Sequence, residues 1–203
     1  ICGVTTYESG TVILNGETVR FTHPLQSMQK KLGYLPEDRQ VQGLVLDWSI
    51  FRNITLPSLR KYSTAAGLNS KQERQDGEAF RKKLSIRTKD IDEKVSALSG
   101  GNQQKVVFAK LLNLDLNVLI LDEPTKGVDV GAKSQIYSIM SDLAEQGYAI
   151  ILISSEMPEV LAMSDRIGVM HEGSLVKILD RKEATQEKML AYAMNSADTM
   201  LKD

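Results

Sequence analysis

One cysteine, Cys2, stands among 203 residues, which excludes a disulfide framework and a zinc site of the four-cysteine type. The two histidines, His23 and His171, lie far apart in sequence, so a histidine-built metal cluster is not expected. No apolar run approaches the roughly 20 residues needed to span a bilayer. The longest, Tyr148 to Ile153, has the length of a strand. Neither sign of charge is in excess: 25 basic against 26 acidic residues leave a formal net charge of -1. A basic surplus to pair with phosphates is missing, so nucleic acid is not an expected partner. No basic start followed by an apolar segment marks a signal peptide. The chain opens at Ile1 without an initiator Met, as a fragment would. It also contains no Gly-Lys dipeptide, hence no Gly-x-x-x-x-Gly-Lys-Ser/Thr loop to cradle phosphates. In the nearest stretch, Gly127 to Ser134, Ala132 separates Gly131 from Lys133, and Lys133 and Ser134 are expected to begin a surface helix.

What is present is ordinary globular composition, 42% hydrophobic and 25% charged, enough for one domain with a subdomain. Thr11 to Leu14 and Glu17 to Phe21 flank Asn15-Gly16, a hairpin turn signal. Ser27 to Lys31 reads as a short helix, and Leu32 to Leu35 as a strand stopped by Pro36. From about Leu44 to Ala97 charges multiply and β-branched runs thin out, which predicts a helical insertion with Tyr62 to Asn69 as a linker and a solvated charged helix. Leu44, Leu46, Trp48, Ile50, Phe51, Ile54 and Leu56 are expected to pack its start. From Leu98 helix and strand alternate. Gly101 to Asn113 fits a helix, and Val118 to Leu121 fits a strand buried on both faces. Ala132 to Gln146 places Ile136, Met140 and Leu143 on one helical face. Tyr148 to Ile153 reads as a second buried strand, followed by a short helix over Met157 to Met163. A hairpin turning at His171 to Ser174 leads into a closing helix, Ala184 to Met194. His171 there, and His23 before Pro24, are read as loop residues in solvent. This order predicts an α/β fold with a parallel sheet covered by helices.

Two stretches carry chemistry. Leu98-Ser99-Gly100-Gly101-Asn102-Gln103-Gln104 opens a helix: Ser99 can cap its free N–H groups, and the glycines let another molecule approach the backbone. A helix start attracts anions, phosphate above all. Val118 to Leu121 then ends in Asp122-Glu123-Pro124, two carboxylates at the edge where open α/β sheets place ligands. In nucleotide hydrolysis one such carboxylate supports Mg²⁺ and the next polarises the attacking water.

With Thr125-Lys126-Gly127-Val128-Asp129 following, and Ser154-Ser155-Glu156 closing the next strand, the sequence resembles the nucleotide-binding domain of ABC transporters. Leu98 to Gln104 resembles the signature motif, Val118 to Glu123 the Walker B strand, and Val128-Asp129 the D-loop. The resemblance narrows, through Tyr34-Leu35-Pro36-Glu37-Asp38-Arg39, Asp122 to Lys133, Ser154 to Val160 and Met170-His171-Glu172-Gly173, to the C-terminal half of the duplicated ATPase subunit of monosaccharide importers. It implies a P-loop NTPase-like, ABC-type parallel-sheet core, N-terminally truncated and lacking the Walker A segment. The core would comprise residues 1–43 and 98–203, with a helical subdomain over 44–97 that docks on the permease. Ser99, Gly100 and Gly101 would contact the γ-phosphate of an ATP held mainly by a second ABC ATPase domain, with Gln103 just inside the helix. Asp122 would support Mg²⁺, Glu123 would be the catalytic base, and Asp129 would communicate across the dimer.

Two departures stand out. Glu37 occupies the position where most relatives carry a Gln that contacts Mg²⁺ and water, and Ser155 the position of a His that contacts the γ-phosphate. Both changes are frequent in the C-terminal halves of sugar-importer ATPases, and both imply slower hydrolysis by this half. The resemblance thus implies ATP and Mg²⁺ as cofactors and permease subunits as partners, with a sugar-binding protein as an indirect one. It also implies a site at the cytoplasmic face of the membrane, with the chain inactive by itself. Two alternatives remain open on the residues: a non-catalytic, signature-donating module, and a soluble ABC ATPase outside transport.

Overall fold

The structure, a computed structural model, describes residues 1–5 and 7–194. The chain divides into two compact units, Ile1–Ile151 and Leu152–Asp203. The expected core segment 98–203 therefore ends in nine residues, 195–203, that lie outside the described ones.

The first unit begins with a hairpin, β1 (Val12–Leu14) and β2 (Glu17–Val19). Its turn residues Asn15 and Gly16 both have positive φ, 51° and 80°. That is the backbone a two-residue turn between right-twisted strands requires, and Asn-Gly adopts it at little cost. Helix α1 (Pro24–Gln29) follows, capped by the His23 ring, which accepts from the Leu25 N–H. His23 is therefore a helix cap, not just a loop residue. Strand β3 (Leu32–Leu35) runs parallel to β6 (Val118–Asp122), with Leu35 opposite Leu121 and Tyr34 opposite Ile120. A three-stranded sheet results, in the order β3, β6, β7 (Ala149–Ile153). Val19, Phe21, Leu32 and Ile120 close a core against the hairpin, with Cys2 packed on its edge.

The apolar run of β7 suggested burial on both faces. Burial instead alternates, and Ile151 and Ile153 keep 48% and 46% of their surface exposed. The alternation shows that only one face of β7 is packed, although β3, the other edge strand of the same sheet, is buried on both.

Between β3 and β6 the chain is helical apart from a small hairpin. A one-turn π-helix spans Arg39–Gly43, then come α2 (Ile50–Thr55), α3 (Leu59–Tyr62), α4 (Ser70–Lys83) and α5 (Gly100–Leu112). The expected linker after Tyr62 is a short antiparallel pair, β4 (Ser63–Thr64) and β5 (Gly67–Leu68). Leu44, Ile50, Phe51 and Ile54 are buried as the pattern suggested, but Trp48 is exposed. The charged helix α4 is not wholly solvated either. Glu73 is buried and accepts a 2.8 Å bond from the buried Thr55 hydroxyl, because α4 packs directly on α2.

Asn53 is fully buried and organises the entry to α2. Its Oδ1 accepts from the Val45 N–H (2.8 Å) and its Nδ2 donates to the carbonyls of Val45 (3.0 Å) and Ser49 (3.1 Å). Replacing it by alanine strands several buried backbone groups, each worth about 1–3 kcal/mol. Asn53→Ala is expected to lower the urea midpoint by the equivalent of about 2–3 kcal/mol. A midpoint matching the wild type would refute this account.

Helix α6 (Val130–Glu145) turns Ile136, Met140 and Leu143 inward as the spacing predicted. In the second unit, α7 (Met157–Met163) and α8 (Gln186–Ala193) accompany the antiparallel pair β8 (Arg166–His171) and β9 (Ser174–Asp180). Ile167, Val169, Leu179 and Met189 form its core. His171 is not a solvated turn residue: its Nδ1 lies 2.6 Å from the Ala193 carbonyl and ties the strand to the end of α8.

Candidate functional site

β6 delivers the two carboxylates. Asp122 is its last residue, and Tyr34, on the neighbouring strand, donates its hydroxyl to Asp122 Oδ2 at 2.9 Å. Burial, then the bond to this carboxylate, pushes the Tyr34 phenol up to about 12. It therefore stays a donor at any physiological pH. Glu123 follows at φ 46°, in the left-handed region. A non-glycine residue there carries local strain, which is tolerated at sites where a side chain must be aimed.

The chain then turns back. Asp129 caps α6 by accepting from the Ala132 N–H at 2.9 Å. The start of α5 lies against this turn. A Cβ added to Gly100 would stand 3.0 Å from the Gly127 carbonyl and 2.8 Å from Arg39 Nη2, and one added to Gly101 would stand 2.4 Å from the Ala132 Cβ. The glycines are therefore required first by packing within this chain. Ser99 is exposed at the N-cap, but its side chain makes no capping bond. Its Oγ accepts instead from Asn102 Nδ2 at 3.0 Å, while Asn102 Oδ1 takes the Arg87 N–H. The expected cap is thus absent because Asn102 competes for the same oxygen.

Gln103 is buried. Its Oε1 accepts from Gln40 Nε2 (3.2 Å) and its Nε2 donates to the Val95 carbonyl (3.3 Å). Lys110, whose charge is disfavoured by burial, donates to the Gly43 carbonyl at 2.7 Å. The π-turn that follows Glu37 and Asp38 is thereby fastened to α5 near both its ends. Glu37 is ion-paired with Lys126, and the pair holds the Lys126 ammonium above its ordinary value. Ser155 belongs to the second unit, exposed directly after β7.

The structure therefore brings Asp122, Glu123, Asp129, Ser99, Gly100, Gly101, Gln103 and Glu37 into one unit, around the loops that end β3 and β6. Sequence reasoning missed Tyr34, Arg39 and Lys126 as members. Tyr34 was legible in principle, since a Tyr on the strand beside a carboxylate-ending strand can reach it. Arg39 and Lys126 had no local signal, because their partners lie 87 to 89 positions away. Among the described residues no group of three or more His, Cys, Asp or Glu could hold a metal by itself.

A parallel strand thus ends in Asp122 and Glu123 beside the glycine start of a helix. The ABC transporter family matches residues 1–126, and the chain belongs to it. The ATP-binding cassette MJ0796, solved as a dimer in a post-hydrolysis state with ADP and Pi, superposes with a TM-score of 0.74. That match covers 89% of this chain and 77% of the other at 18% identity, and it shows the fold. Ribose import ATP-binding proteins of Bacillus cereus (strain ATCC 14579) and Lactococcus lactis subsp. cremoris (strain SK11) are 47% and 46% identical over 193 residues. The alignments take in 95% of this chain and 39% of each relative, so the chain spans about two fifths of their length.

Proposed function

We propose that this chain is the C-terminal half of a duplicated ATPase subunit that couples ATP hydrolysis to import of a simple sugar, ribose being the first candidate. The observation that carries the reading is the packing of Ser99-Gly100-Gly101 against the loop that leaves Asp122 and Glu123. In this reading Glu123 is the general base and Asp122 supports Mg²⁺. Ser99, Gly100 and Gly101 face the γ-phosphate of an ATP seated in the other half of the dimer. Asp129 senses that half, and Ser155 would contact a phosphate oxygen.

The donor set fits Mg²⁺. This ion keeps several waters and typically takes one or two carboxylates plus phosphate oxygens. A single strand-end carboxylate oriented by a phenol suits that role better than a dedicated cage would. Mg²⁺ would supply charge neutralisation at the transferring phosphoryl group. Glu37 is the second candidate carboxylate, with Lys126 offsetting the charge it adds. The phosphate-cradling loop would come from outside these 203 residues.

Residues 44–97 are the proposed permease-docking subdomain, and the subunit would sit at the cytoplasmic face of the membrane, served indirectly by a sugar-binding protein. No helix among the described residues is long and apolar enough to cross a membrane. Exposed Trp48 supports the docking role: it lines a cleft with Phe51, Arg52, Arg74 and Asp92, and tryptophan is a frequent anchor at interfaces.

The test is co-expression of the full-length subunit with its permease, followed by reconstitution into vesicles. ATP-dependent ribose uptake is expected, and Trp48→Ala should weaken co-purification by about tenfold or more without unfolding the subunit. Recovery of the subunit with no permease and no uptake of any pentose or hexose would overturn the transport reading. It would then favour a soluble ABC ATPase.

A further inference from the structure

We propose that Arg39 is the positioning residue that holds the loop after β6 in register with the start of α5. The proposal rests on the ATP-site reading above. Arg39 Nη1 donates to the Lys126 carbonyl at 2.8 Å and Nη2 to the Gly127 carbonyl at 3.2 Å. Two successive carbonyls are engaged by one planar fork, a geometry that lysine cannot reproduce. On its other side the same Nη2 occupies the space beside Gly100, 2.8 Å from where a Cβ would stand. The guanidinium thus fills the gap between the 126–127 turn and the first residue of α5.

The base of Arg39 is itself fixed. Asp38 caps the π-turn by accepting from the Gln40 and Val41 N–H groups. Gln40 bonds Gln103 on α5, and Gly43 accepts from Lys110 on the same helix. The segment after β3 is therefore joined through Arg39 to the turn that carries Lys126 and Gly127. That turn lies between Glu123 and Asp129. Arg39 Nε is buried with no hydrogen-bond partner among the described residues. The Glu37–Lys126 pair joins the same two loops, but its side chains are 50% and 61% exposed and it contributes little on its own.

The experiment compares Arg39→Lys and Arg39→Ala in the full-length subunit, reading amide hydrogen exchange and ATP turnover together. Both variants are expected to raise exchange in residues 126–133 and 99–103 while leaving the β8–β9 hairpin unchanged. Both should lower kcat about tenfold or more, with a smaller change in KM for ATP, as expected for a misplaced catalytic loop. Gly100→Ala, which displaces the fork from the opposite side, should give the same exchange pattern. Wild-type exchange in 126–133 for both Arg39 variants would overturn the proposal, and so would raised exchange with unchanged kcat in a subunit whose Glu123→Gln variant has lost its turnover. If the wild-type subunit itself hydrolyses no ATP, the ATPase reading fails. Exchange alone then decides whether Arg39 positions the loop.

Discussion

Replacing Glu123 with glutamine is expected to lower ATP turnover by the full-length subunit by about two to four orders of magnitude, the usual contribution of a positioned general base. Nucleotide binding should remain within about threefold, because glutamine keeps the volume and the backbone strain and removes only the charge that accepts a proton. The position itself carries the expectation. Glu123 sits at φ 46° immediately beyond a buried parallel strand, where a glycine or asparagine would be the relaxed choice. The strained backbone sets the direction in which the carboxylate leaves the strand end. Phosphate release under saturating MgATP gives the turnover, and titration with a fluorescent nucleotide gives the binding. Unchanged turnover would assign hydrolysis to the other half of the dimer and leave this half donating its signature loop. The substitutions at Glu37 and Ser155 make the second result a real alternative.

The sequence carried most of the fold because its strongest signals are local. Asn15-Gly16 specifies its turn through backbone angles alone. Val118 to Leu121 specifies a covered parallel strand through an unbroken apolar run, and α5 and α6 announce themselves by spacing. The misreadings share a different cause. Ile151 and Ile153 read as doubly buried, but what covers each face of a strand is a property of the whole fold. Glu73 read as solvated because its partner Thr55 lies 18 residues away, on a helix whose packing partner could not be assigned from periodicity. Ser99 read as a cap because the competing amide of Asn102 has equal local claim to its oxygen. The candidate site divides the same way. Asp122, Glu123 and the glycines fall in contiguous motifs. The Tyr34 hydroxyl, the Arg39 fork and the Glu37–Lys126 pair exist only once β3 and β6 lie side by side.

Adding a single methyl group at Gly101 is expected to lower turnover too, less than removing the base and by a separate route. Gly101 is buried on the first turn of α5, and its added Cβ would lie 2.4 Å from the Ala132 Cβ and 3.5 Å from Val128 Cγ1. Carbon atoms pack at about 3.5–4.0 Å, so α5 and the start of α6 must separate by about an ångström. Neither neighbour is the far end of a flexible side chain. Overpacking of this kind costs about 1–3 kcal/mol. A shift of that size between Ser99-Gly100 and the Asp129 turn should lower turnover by one to two orders of magnitude, about the penalty of a 1 Å misplacement. The clash names its own remedy. Ala132→Gly removes the opposing methyl, at a helix-propensity cost of about 1 kcal/mol or less so near the N-terminus. The double variant Gly101→Ala/Ala132→Gly should therefore recover most of the turnover lost by Gly101→Ala, although the signature glycine is still missing. If instead the double variant stays as inactive as the single one while thermal unfolding returns to normal, Gly101 is needed for the approach of phosphate and not merely for the fit of two helices. The rescue thus separates the two demands that a glycine at this position meets, packing within the chain and access for a ligand.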